Sequence, residues 1–151
     1  MGRALLAVGG LLLLCFAILG VAVYLGREEE SVAVDQILAE DLSRQFALAA
    51  GTPDPVEVSV VTNFEWDELL IVAEDTPRDD IDRELGFDFQ GDLAYDAESK
   101  DLLIFLRDGR LAKFADYRGT FEFSGVDRPF ARFDTGEAVF RVQSGTIVPV
   151  R

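Results

Sequence analysis

The sequence predicts an α+β domain behind an N-terminal transmembrane helix, built as a twisted antiparallel sheet with helices packed on one face. Three observations predict it. Residues 4–26 carry no charge. The residues after them switch between helical and alternating apolar periodicity. Neighbouring apolar runs are joined by tight-turn residues rather than by stretches that hold a crossover helix. The 151 residues suffice for one domain and are too few for two.

Residues 1–26 read as the membrane segment. The run ALLAVGGLLLLCFAILGVAVYLG (residues 4–26) is 23 residues long, and a hydrocarbon core of about 30 Å needs about 20 helical residues. Tyr24 sits where an interfacial aromatic anchors, and Arg27-Glu28-Glu29-Glu30 stops the run. The favoured reading is an uncleaved signal anchor. The N-terminus and Arg3 then mark the cytoplasmic side, although Arg27 weakens the positive-inside signal. The remainder is expected outside the cytoplasm, on a single-pass protein of the inner (plasma) membrane. Two other readings stand beside it. A signal peptide cleaved at Gly20-Val21-Ala22 would have a long apolar stretch for that role. A lipoprotein modified at Cys15 would have the bulky Leu14 before the cysteine and apolar residues after it.

Residues 27–51 read as a juxtamembrane amphipathic helix. Val34, Leu38, Leu42 and Phe46 recur at four-residue spacing over Ser31 to Ala50, with Ile37 and Ala49 flanking the stripe. Ser31 is the expected cap and Gly51 the stop. Residues 52–151 read as the domain proper. Val56 to Val60 alternates as a half-buried strand, and Trp66 to Ala73 is a denser apolar strand. Thr76-Pro77 opens a short helix, Thr76 as cap and Pro77 at the first helical position, and Gly86 ends it. The strands LLIFLR and RLAKFADY flank Asp108-Gly109, the strongest short hairpin signal. Its expected register sets Phe105 opposite Ala112 and Leu103 opposite Phe114, with Leu106 and Leu111 on the other side. Leu102 to Arg107 is apolar on both faces and belongs at the centre of the sheet. Phe121, Phe123, Phe130 and Phe133 supply further core. A last hairpin turns at Ser144-Gly145, and Pro149 places the final strand at an edge.

Composition narrows the chemistry. The formal net charge is −14, and because Arg3 is the only charged residue before Arg27, the remainder of the chain is near −15. Such a surface repels nucleic acid and anionic lipid headgroups and suits basic partners or cations. There is no histidine, and the one cysteine, Cys15, lies inside the apolar run. That excludes histidine-based triads and bases, thiol nucleophiles, disulfides and most zinc sites. No cofactor is implied. Catalysis would rest on Asp, Glu, Tyr, Ser/Thr, Arg or the two lysines, Lys100 and Lys113.

Asn63 to Phe123 resembles a group of uncharacterised bacterial lipoproteins and membrane-anchored envelope proteins. The shared pieces are the Trp-Asp strand at Phe64-Glu65-Trp66-Asp67, a short helix ending in Leu85-Gly86, and the apolar hairpin from Leu103 to Phe114. Val72-Ala73-Glu74-Asp75 stands where many members carry an aromatic-rich stretch. The resemblance implies a cell-envelope location and this domain shape, and no activity.

Three candidate sites follow. Asp79, Asp80, Asp82 and Glu84 lie on one short helix, where Asp80 and Glu84 share a face, and could hold a hard cation. Counting twelve residues from Asp80 puts Leu85 and Gly91 where an EF-hand needs Gly and Glu, so that motif fails. The bland reading is a solvated helix face. Asp88, Asp92, Asp96, Glu98 and Asp101 form a second acidic stretch, expected as an exposed loop or short strand, with a calcium loop as the functional alternative. Trp66 and Asp67 are a candidate ligand or partner contact, the bland reading being a core Trp beside a structural carboxylate. Arg107, Arg110, Arg118, Arg128 and Arg132 stand against the acids of residues 65–101, an asymmetry that could bind an anionic partner or, more simply, pair internally. The leading expectation is a non-catalytic, membrane-anchored interaction module of the cell envelope that meets a protein partner through an acidic face. A divalent-cation or small-ligand domain is the alternative, and a carboxylate-based hydrolase the second alternative.

Overall fold

In the computed structural model, residues 35–91 and 101–150 are described. The 4–26 span, Cys15, the Ser31 cap and the acids Asp92, Asp96 and Glu98 lie outside them. Among the described residues no helix is long and apolar enough to cross a membrane.

Helix α1 (Gln36–Ala49) is capped by Asp35, whose Oδ1 accepts the Leu38 N–H at 2.9 Å. Its stripe of Leu38, Leu42 and Phe46 is buried as the periodicity requires, whereas Ile37 is exposed. Gly51 leaves the helix at φ +83°, where a residue without Cβ is unstrained. Strand β1 (Val56–Glu57) is far shorter than the expected Val56–Val60 strand. It pairs with β7 (Val139–Gln143), and the Val58 N–H still reaches the Ala138 carbonyl at 3.0 Å. Before Ala138 the partner chain folds into a turn through Asp134, so the ladder runs out. Residues Val58–Val61 therefore coil into a single turn, α2. Loss of a partner overrides the strand preference of valine.

Strand β2 (Glu68–Ala73) leads into α3 (Arg78–Leu85). Thr76 does not cap α3. Its buried hydroxyl donates to the Ala73 carbonyl at 2.6 Å, and Pro77 stands at the cap position instead of inside the helix. Gly86 ends α3 with φ +78°. The hairpin of β3 (Asp101–Arg107) and β4 (Arg110–Tyr117) turns at Asp108-Gly109 as expected, but its register differs. Leu106 pairs with Leu111, then Phe105 with Lys113 and Leu103 with Ala115. Ala112 is the extra residue of a bulge, which displaces every later pair by one. Strands β5 (Glu122–Phe123), β6 (Phe130–Asp134), β7 and β8 (Thr146–Pro149) complete the fold.

There are two sheets rather than one. The first has the order β1-β7-β8-β5 and is mixed, because β5 runs parallel to β8. The second, β4-β3-β2-β6, is antiparallel throughout, and β3 is internal in it. Strand β8 is internal too, which corrects the expected edge: β5 pairs with Thr146 and Ile147, and Pro149 lies past them.

The second sheet is apolar on both faces because both are covered. Alternation along a strand sends Leu69, Ile71, Leu103 and Phe105 to one face and Leu70, Val72, Leu102 and Ile104 to the other. The first set packs with α1 and with Phe123, Phe140 and Ile147 of the first sheet. The second set packs with Ile81 of α3 and with Phe89. Helices thus serve opposite faces, not a single one. Phe46 sits edge-on to Tyr117, Phe123 and Phe140, with ring centroids 5.8–6.4 Å apart, and so joins α1 to both sheets.

Candidate functional site

Trp66 and Asp67 precede β2, and both are occupied structurally. Trp66 is buried edge-on against Phe105 at 5.3 Å, and its indole N–H donates to the Thr62 hydroxyl at 2.9 Å. Asp67 Oδ2 accepts the Asp108 N–H at 2.6 Å, which fixes the β3–β4 turn. The Thr135 hydroxyl donates to the carbonyls of both Trp66 and Asp67. The pair lines neither of the two surface grooves described below.

Three of the four acids of α3 are held by separate partners, and Asp79 is exposed in its first turn. Asp80 pairs with Arg83, Asp82 accepts the Phe89 N–H at 2.7 Å, and Glu84 pairs with Arg132 at 2.8 Å. Among the described residues no group of three carboxylates converges on a point that would hold a metal ion. Arg78, at the start of the same helix, donates to the carbonyls of Phe89 and Gly91. Asp82 and Arg78 together seat Phe89 in the second core.

Asp101 lies in a strand, as one expectation had it, but it is buried rather than exposed. It opens β3 at 2 % exposure and pairs with Arg128, which also donates to the Phe123 carbonyl at 2.8 Å. Burial pushes the Asp101 carboxyl above its usual range, and the Arg128 contact only partly offsets this. Its cross-strand neighbour is Tyr117. Burial, together with the charge of Asp101, pushes the Tyr117 phenol up, and its buried hydroxyl has no hydrogen-bond partner among the described residues. A buried acid with a raised pKa is the property a catalytic acid needs. Here the acid faces a guanidinium rather than a second carboxylate, and it lines neither groove.

Four of the five arginines expected to pair internally, Arg107, Arg118, Arg128 and Arg132, engage acids of the same chain, and Arg110 is exposed at the hairpin turn. Arg107 meets Glu65, Arg118 meets Asp116, and Arg132 meets Glu68 and Glu84. Lys113 pairs with Asp35 at 2.7 Å and lies 4.9 Å from the Phe64 ring centre. Burial raises the Asp35 carboxyl, but hydrogen bonds from Lys113 and the Leu38 N–H outweigh it and hold the group below the usual carboxylate range.

Two grooves on the surface are lined wholly by described residues. One, of about 450 Å³, lies between β6 and the ends of β7 and β8 and includes Arg132 and Glu137. The other, of about 480 Å³, lies between the C-terminal turn of α1 and α2. Leu48 and Val60 line it and are 66 % and 78 % exposed. Asp54 and Glu57 are its only charged lining residues. No sequence signal pointed to this groove. The alternation of Val56, Val58 and Val60 predicts three inward valines, and α2 turns the third outward. The chain matches no known protein family, no curated protein and no solved structure.

Proposed function

We propose that this protein is a single-pass, membrane-anchored interaction module of the cell envelope, held through residues 4–26, whose acidic extracytoplasmic domain meets a protein partner. The observation that carries this reading is the disposition of charge. The net charge is −14, and Lys113, Arg107, Arg118, Arg128 and Arg132 are engaged with acids of the same chain. The uncompensated surface charge is therefore acidic, which favours a basic protein partner and disfavours nucleic acid and anionic headgroups. The uncharged run of residues 4–26 and the resemblance of Asn63 to Phe123 to anchored envelope proteins support the location.

The test is crosslinking in native membranes with a tag at the C-terminus. A single partner recovered in stoichiometric yield is the expected result. Substrate turnover by the purified chain, abolished by neutralising one carboxylate, would replace the module with a carboxylate-based enzyme.

A further inference from the structure

We infer that the groove between the end of α1 and α2 is the docking site of that partner, and that it takes a large apolar side chain flanked by lysine or arginine. The inference rests on the interaction-module reading and adds the place and the chemistry. Leu48 projects from α1 and Val60 from α2, and both are mostly in water. The floor between them includes Ala49 and Val61, which also pack on the main core. The groove thus has an apolar floor continuous with the interior, between polar walls that include Gln45, Thr52, Asp54 and Glu57. Its volume of about 480 Å³ falls in the roughly 300–1,000 Å³ range of ligand-sized clefts.

The rim supplies the sign. Asp54 and Glu57 are acids, and no lysine or arginine lines the groove. A docked acidic segment would place like charges together. A basic one gains both the local attraction and the steering field of the acidic domain. The same acids argue against a lipid surface as the occupant, because anionic headgroups attract basic patches. The groove at β6 lacks this combination, since Arg132 stands on its lining beside the acids Asp127 and Glu137.

The experiment uses the full-length chain in its own membranes, with a photoactivatable phenylalanine analogue at Val60 or, as a control, at Gln90 beside Phe89 of the second core. The expected result is a crosslink from position 60 and none from position 90. The mapped partner segment should carry a large apolar residue within one helical turn of a lysine or arginine. Leu48→Asp, and separately Asp54→Lys with Glu57→Lys, should each lower the yield at least roughly tenfold. Leu48, Asp54 and Glu57 are exposed or partly exposed, so these variants are expected to fold, which the Trp66 fluorescence of each purified chain checks. A crosslink from position 90 alone, an acidic partner segment, or yields indifferent to the substitutions would overturn the groove while leaving an interaction module standing. No crosslink from either position would overturn both.

Discussion

Asp35 caps the first helix and joins it to the second sheet by two further contacts, and its replacement separates them. Its Oδ1 caps α1 through the Leu38 N–H at 2.9 Å, its Oδ2 pairs with Lys113 at 2.7 Å, and its own N–H donates to the Phe114 carbonyl at 2.9 Å. Asp35→Ala removes the first two and keeps the third. Loss of an N-cap costs about 1 kcal/mol. The pair with Lys113 is partly exposed and adds about 0.5 kcal/mol. Lys113 remains near solvent and over the Phe64 ring, so no buried charge is stranded. The expected loss is about 1.5 kcal/mol for Asp35→Ala and about 0.5 kcal/mol for Asp35→Asn, since Asn caps as well as Asp does.

Urea unfolding of the full-length chain in detergent micelles, followed by fluorescence of the single tryptophan, Trp66, reads both values. The Asp35 carboxyl titrates below 3.8 in the folded state. Its contribution is therefore present above pH 3.8 and lost as pH falls through the lower folded value, where wild type and Asp35→Asn should converge. Equal losses for Asp35→Ala and Asp35→Asn would show that the carboxylate does not cap the helix. A difference that persists at low pH would show that the ion pair is not its source.

Three further outcomes follow from the packing and the charges. Phe46→Ala removes the ring that meets Tyr117, Phe123 and Phe140, and a urea titration should show a loss of about 3–5 kcal/mol. Gly119→Ala places a Cβ 2.0 Å from the hydroxyl of the fully buried Tyr117 and should cost about 1–3 kcal/mol, whereas Gly136→Ala meets nothing within 4 Å and should be nearly neutral by the same titration. The Asp101 carboxyl titrates above 3.8 when folded, so its contribution is present below that pH and lost as pH rises through the raised value. Urea midpoints measured across this range should fall less steeply with rising pH in Asp101→Asn than in wild type, and parallel slopes would refute the shift.

The parts of the fold legible in the sequence are those where local pattern and tertiary demand coincide. The α1 stripe of Leu38, Leu42 and Phe46 is buried as its spacing requires, and Asp108-Gly109 turns the hairpin. The continuous apolar run of β3 reads as central, and it is. What was not legible is non-local. Strands β1 and β5 have two residues each and no period, so the first sheet leaves little trace in the sequence. The bulge at Ala112 adds one residue to a strand whose alternation continues past it. Asp101 is separated from Arg128 by 27 residues, so nothing local marks it as buried. The candidate sites show the same division. Trp66 is core, and Asp80, Asp82 and Glu84 of α3 are bound one by one to Arg83, the Phe89 N–H and Arg132.

The departure at Val58–Val61 carries an argument about function as well as fold. Valine in a helical turn loses side-chain freedom relative to alanine, and an exposed valine recovers little by burial. Val60 is 78 % exposed in a four-residue turn, so the isolated chain gains little from having valine there. Val60→Ala removes the branched side chain at an exposed helical position, and should leave stability unchanged or raise it by about 0.5 kcal/mol. A partner that buries Val60 reverses the preference, and the same variant should then weaken partner crosslinking from a probe at Leu48. The two readouts together separate a binding residue from a packing residue. If Val60→Ala instead lowers stability by more than about 0.5 kcal/mol, the valine supports α2 against the core, and its exposure no longer argues for an occupant of the groove.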